Sequence, residues 1–149
     1  MLYYRAELLW AAASRLHASG DETRARAAFD RARGAFEQAL AAKPGGFTED
    51  AAYAQLLATM NALGLETRAA PGRRGDGSRD AGGAFPITDY SGDERRLLRS
   101  GELFARYVDD PENEGTQLVL YTRARLASEH NRFDEAERHA RALLDSSDG

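Results

Sequence analysis

Three histidines, His17, His130 and His139, are the side chains of this chain that could take or give protons near neutral pH. None pairs with another histidine at the i,i+4 spacing that lets two imidazoles hold a metal from one helix face, and no HExxH run occurs. Glu135 and His139 do stand four residues apart, which reads as a solvated helix-surface pair. No serine sits in a nucleophile-elbow frame, and "GDGSRDAGG" at 75–83 is not followed by the GK[ST] that a phosphate loop requires. "DDPENEG" at 109–115 is rich in oxygen donors but lacks calcium-loop spacing, and it reads as an interhelical turn. The remaining carboxylates fall at helix starts or four residues from an arginine. Four arginines, Arg68, Arg73, Arg74 and Arg79, share a glycine-rich stretch with Asp76 and Asp80, the composition of a solvated loop. The RGD tripeptide at 74–76 arises readily by chance in such a stretch. These side chains imply no catalytic residue, no cofactor and no metal ligand.

Composition points the same way. The 149 residues can bury one real core, and 42% hydrophobic with 30% charged residues is the balance of a folded domain. A net charge of −4 gives no general attraction for nucleic acid or an anionic membrane. The absence of cysteine excludes disulfides, thiolate metal sites and a cysteine nucleophile, and it leaves the compartment open between cytoplasm and periplasm. No apolar run approaches the ~20 residues of a membrane helix. The opening "MLYYRAELLWAAASRLHASG" is interrupted by Arg5, Glu7 and Arg15, so a first helix is expected there rather than a leader. Of the 20 basic residues all but Lys43 are arginine, a bias typical of a GC-rich genome.

Such side chains must be carried on helices. Leu2, Leu8, Leu9, Ala12, Ala13 and Leu16 recur at helical spacing over 2–19, and "SGD" at 19–21 breaks the run with Asp21 as the next cap. A second stripe, from Ala25 and Phe29 to Phe36 and Leu40, predicts a helix over 22–43, ended by "KPGG". Thr48 is the expected cap of a third helix over 49–63, with Tyr53, Leu56, Leu57, Met60 and Leu63 on its apolar face. Residues 64–90 hold six glycines and two prolines and read as a long, mobile insertion. Ser91 and Glu94 form a capping-box pattern for a fourth helix that stops before Pro111. Two further helices are predicted over 115–130 and 133–145, separated by "HNRF". No period-2 pattern marks a strand; the expected class is all-α.

The last pair, with Leu120, Ala124, Ala127, Asn131 at the turn, Ala136, Ala140 and Leu143, resembles a tetratricopeptide repeat, a unit of about 34 residues made of two antiparallel helices. The family's helix-ending proline is missing, and Asp148 stands there. Leu9, Ala12, Ala13, Leu16, Gly20, Ala25, Phe29 and Ala32 fall at the same offsets in the first pair. In the middle pair Tyr53, Leu56, Leu57, Met60 and Gly64 resemble a first helix, and Ser100, Phe104, Tyr107, Val108 and Pro111 a second. The extra chain between them, 65–99, is part loop and part extension of the second helix. The resemblance implies one domain over 1–149, a solenoid of three hairpins at about 2–43, 48–110 (insertion 65–90) and 115–146. Ala25, Ser100 and Ala136 would then be small so that paired helices approach closely.

The resemblance also implies a concave groove lined by the first helix of each pair, which would take a peptide or helix of a partner protein. Its positions project onto Glu7, Trp10, Ser14 and His17; onto Ala51, Ala54, Ala58 and Asn61; and onto Leu118, Tyr121, Arg125 and Ser128. Trp10 and Tyr121 are the expected aromatic anchors and Arg125 the expected partner of a carboxylate. The family's lysine- and asparagine-rich carboxylate clamp is absent. The expectation is a non-catalytic interaction scaffold for a protein or peptide, without nucleic acid or membrane insertion. The alternative is a structural subunit or fragment of a larger bacterial assembly. It would self-associate through its terminal helices, where Leu143 and Leu144 lack an obvious cover.

Overall fold

A computed structural model describes residues 1–42, 45–64 and 86–147. Among them are six α-helices and no strand: α1 (Leu2–Ala18), α2 (Glu22–Ala42), α3 (Thr48–Leu63), α4 (Gly92–Tyr107), α5 (Glu114–Glu129) and α6 (Phe133–Ser147). The RGD tripeptide, Arg68, Arg73, Arg79, Lys43, Asp148 and most of the expected insertion lie outside the described residues.

The ends of the helices follow local chemistry. Gly20 takes φ +86° after α1, and the Asp21 carboxylate accepts the Arg24 amide at 3.2 Å to open α2. Gly64 closes α3 in the left-handed conformation. Ser91 and Glu94 form the capping box: the Glu94 amide donates to Ser91 Oγ at 3.1 Å, and the Ser91 amide donates to Glu94 Oε1 at 2.9 Å. Asn113 caps α5 by accepting the Gly115 amide at 2.8 Å. Thr48 departs from expectation. It is the first helical residue of α3 rather than the cap, because its hydroxyl is committed to Gly45, accepting the amide at 2.6 Å and donating to the carbonyl at 2.7 Å.

Consecutive helices run antiparallel. Tyr3 meets Phe36 and Trp10 meets Phe29, so α1 and α2 run in opposite senses. Tyr53 lies edge-on to Phe104 while Gln55 bonds Ser100, which sets α3 against α4. Gly115 backs onto Phe104, and Gly101 onto Val119, which sets α4 against α5. The main core gathers Phe36, Leu40, Leu56, Leu97, Phe104 and Leu126; a smaller cluster of Ala13, Ala25 and Phe29 sits under Trp10 and Leu16. Each fully buried side chain of this size contributes about 1.5–3 kcal/mol relative to exposure. Ala25 is 1% exposed and Ser100 5%, so both sit inside helix contacts; Ala136 is half-buried.

One polar group is locked in this core. Gln55, fully buried, donates from Nε2 to the Ser100 carbonyl at 2.9 Å and accepts the Ser100 hydroxyl at 2.8 Å. Thr59 donates to the Gln55 carbonyl at 2.8 Å. Every side-chain polar atom of Gln55 and Ser100 therefore finds a partner across the α3–α4 contact, which is the condition for burying it.

Residues 86–90, placed in the insertion by composition, run along the α5–α6 turn. The Asn131 side-chain amide donates to the Pro86 carbonyl at 2.8 Å, and the Thr88 backbone amide donates to the His130 carbonyl at 3.1 Å. The Arg132 guanidinium lies 5.0 Å from the Tyr90 ring centroid. His130 Nε2 stands 2.9 Å from both Glu94 oxygens. With the proton on Nε2, Nδ1 accepts the Thr88 hydroxyl at 2.7 Å. Asn131 holds the turn with φ +61°, a conformation asparagine tolerates better than most residues.

Candidate functional site

The site is built by α2. Both α1 and α3 pack on it, and the space left between them is an open cleft of about 630 Å3 with Phe36 of α2 at its base. Tyr3, Glu7 and Trp10 enter it from α1, a 4–3 spacing that puts all three on one helix face. Tyr53, Ala54 and Leu57 enter from α3, with Glu49 and Asp50 at its first turn. Asn113 and Glu114 at the start of α5 close one end. The methyl group of Ala54 keeps the cleft open where a larger residue would fill it.

Its aromatic walls are held from behind. Trp10 lies edge-to-face with Phe29 at 5.0 Å, and Tyr53 with Phe104 at 6.5 Å. Tyr3 stacks on Phe47 at 4.7 Å with an interplanar angle of 5° and meets Phe36 edge-on at 6.0 Å. The Tyr3 hydroxyl has its pKa pushed up to about 12, first by burial, then by its hydrogen bond to Glu7 and by the negative charges of Glu7 and Asp50. The same carboxylates that disfavour a phenolate make the mouth of the cleft electronegative.

The groove residues expected from the sequence do not share one surface. Glu7, Trp10 and Ala54 line the cleft. His17 and Asn61 meet elsewhere, around a small hollow beside Phe29, with His17 Nδ1 2.8 Å from Glu22. Ser14 is half-buried and outside the cleft lining. The α5 set does not join it: Leu118 packs against the core, Tyr121 is 53% exposed, Ser128 is exposed, and none of them lines the cleft. Arg125 is half-buried along α5, its Nε 3.7 Å from Glu129. Ala51 and Ala58 are buried in the helix packing and do not line the cleft.

Tyr3, Tyr53, Leu57, Glu49, Asp50 and Glu114 were not anticipated as lining. Tyr3 was within reach of sequence reasoning, since it continues the Glu7–Trp10 face one turn back. Glu114 was not, because its place depends on how α5 docks against α3. Among the described residues, no group of three or more histidine, aspartate or glutamate side chains converges to hold a metal ion. No helix among them is long and apolar enough to cross a membrane.

No protein-family model, no curated protein and no solved structure matches this chain.

Proposed function

We propose that the chain is a non-catalytic interaction module, a tetratricopeptide-like array of helical hairpins that holds a segment of a partner protein in the α1–α3 cleft. The observation that carries this reading is the cleft itself: an open, aromatic-walled space of about 630 Å3 on adjacent first helices. That size lies within the ~300–1,000 Å3 of sites that enclose a small ligand or roughly two or three large side chains. Its walls offer apolar surface with charge at the rim, the layout of an anchor pocket. Antiparallel neighbours and the buried small residues Ala25 and Ser100 support the repeat arrangement.

The test is affinity capture with the full chain as bait. Trp10→Ala removes an anchor wall and Ala54→Trp fills the cleft, so both should lose the retained partner while helix content stays unchanged. Tyr121→Ala, away from the cleft, should keep it. Equal capture by all three variants would remove the cleft from the reading.

A second reading, assembly through the ends, has its own support. No residue from 133 to 146 in α6 is buried, and Leu144 is 63% exposed. End-to-end stacking predicts a mass in light scattering that grows with concentration and that Leu144→Glu returns to one chain.

A further inference from the structure

The cleft is an apolar slot with a mouth of one sign. Its base and walls are Tyr3, Trp10, Phe36, Tyr53 and Leu57, and its charged lining residues are Glu7, Glu49, Asp50 and Glu114, with no arginine, lysine or histidine among them. Three of these acids stand in the first turn of a helix, Glu49 and Asp50 in α3 and Glu114 in α5, where the helix dipole favours them. Glu7 has no such reason. It lies beyond the first turn of α1, whose opening turn carries no acid, and its carboxylate helps raise the Tyr3 hydroxyl's pKa at the cleft wall. In a chain with nearly as many basic as acidic residues, a lining with four carboxylates and no cation has a definite electrostatic preference. The ion pairs of α2 and α4, Arg33 with Asp30 and Glu37 and Arg96 with Asp30, lie at a different hollow and neutralise none of these four acids.

We infer that the occupant of the α1–α3 cleft is a cationic amphipathic segment of a partner protein, whose apolar side chains enter between Trp10 and Tyr53 while its arginine or lysine side chains meet Glu7, Glu49, Asp50 and Glu114. The chemistry is matched on two counts. Arginine and lysine are attracted to aromatic rings as well as to carboxylates, and a guanidinium plane can use both at once. An acidic segment would bring like charges together at every rim position and is rejected. This inverts the sign expected from Arg125, which lies outside the cleft and beside Glu129. It rests on the cleft being the binding site of the module.

Trp10 is the chain's single tryptophan, so its fluorescence reports occupancy of the cleft directly. The probes are three short peptides with leucines at identical helical spacing and with arginine, glutamine or glutamate at every other position. At low salt the arginine peptide should shift Trp10 emission with a Kd at least about tenfold below that of the glutamine peptide, and high salt should erase most of that advantage. Glu7→Gln combined with Asp50→Asn, both at exposed positions, should lose the arginine preference, bringing the arginine peptide's Kd up to that of the glutamine peptide. If the glutamine or glutamate peptide binds as tightly as the arginine peptide, the cationic partner is overturned while the cleft survives as a binding site. If no peptide moves Trp10 emission in the folded chain, the cleft fails as a site and the inference fails with it.

Discussion

Gly115 shows how a single missing side chain sets the geometry around the cleft. It is the second residue of α5, and it lies where that helix crosses behind Tyr53. A Cβ there would run into the Phe104 ring and come within 2.7 Å of Tyr53 Cδ2. Alanine is ordinarily the better helix former by about 1 kcal/mol. At this position the gain is outweighed, because two rings that already pack edge-on would have to shift, and overpacking of this kind costs about 1–3 kcal/mol. Gly115→Ala should therefore lower the urea midpoint rather than raise it, and it should move Tyr53 at the cleft wall. A midpoint equal to or above that of the parent chain would show that α5 can slide without cost. The buried Gln55–Ser100 pair makes the complementary point. Its hydrogen bonds close across two helices far apart in sequence, and no local pattern distinguishes Gln55 from a surface glutamine.

Helix scale separates what local patterns can carry from what they cannot. Helices α4 and α6 carry a clearly one-sided apolar stripe, and α1 to α4 each end at a glycine or proline signal, patterns encoded within about two turns of chain. The capping box at Ser91 and the glycine ends at Gly20 and Gly64 are equally local. The cleft is different. Ala51 and Ala58 point about 20° apart around α3 and are buried, while Ala54 stands about 60° from Ala51 and faces the cleft. A small error in helix phase turns wall into core, and phase is set by packing on α2 rather than by composition. The segment 86–90 was illegible for a related reason: its exposed, turn-like residues are held by the α5–α6 turn, about 45 residues on in sequence. His130 is the hinge of that contact, bonding Thr88 on one ring nitrogen and Glu94 on the other. His130→Ala should leave the Glu94 carboxylate with only its Ser91 partners, at a cost of about 1–3 kcal/mol. The Thr88 amide, which donates to the His130 carbonyl, should then exchange faster with solvent because the strap loses its side-chain anchor. Unchanged stability together with unchanged Thr88 protection would show that the backbone contacts alone hold 86–90 in place.

Across the whole molecule the titrating groups bound the pH range in which this arrangement survives. Burial lowers the His139 pKa from its ordinary 6.5, and the charges of Arg123 and Arg138 lower it further against an opposing pull from Glu135. The unfolded chain therefore binds a proton that the folded chain resists, and stability begins to fall as pH drops below about 6.5. A second loss follows in the carboxylate range. Burial alone would raise Glu94 and Asp30, but the Ser91 amide and His130 hold Glu94 below 4.5, and Arg33 and Arg96 hold Asp30 below 3.8. Their contribution is complete above those values and disappears as pH falls through the depressed ones. On the alkaline side the sign reverses. Burial and the charges of Glu7 and Asp50 raise Tyr3 to about 12, and burial and Glu135 raise Tyr90, so the stability they lend is complete below pH 10 and is lost above it. Urea midpoints measured across pH should describe a plateau between about 6.5 and 10 with a shallow acid shoulder and a steeper drop beneath it. His139→Gln should remove the shoulder and leave the lower drop in place, because Glu94 and Asp30 sit on different helices from His139. A shoulder that persists in that variant would assign the first loss to another group. The same titration reports on the cleft. Glu7→Gln takes away both the hydrogen bond and a charge that hold the Tyr3 proton, so the alkaline limb should move toward pH 10 while the acid limb stays where it was.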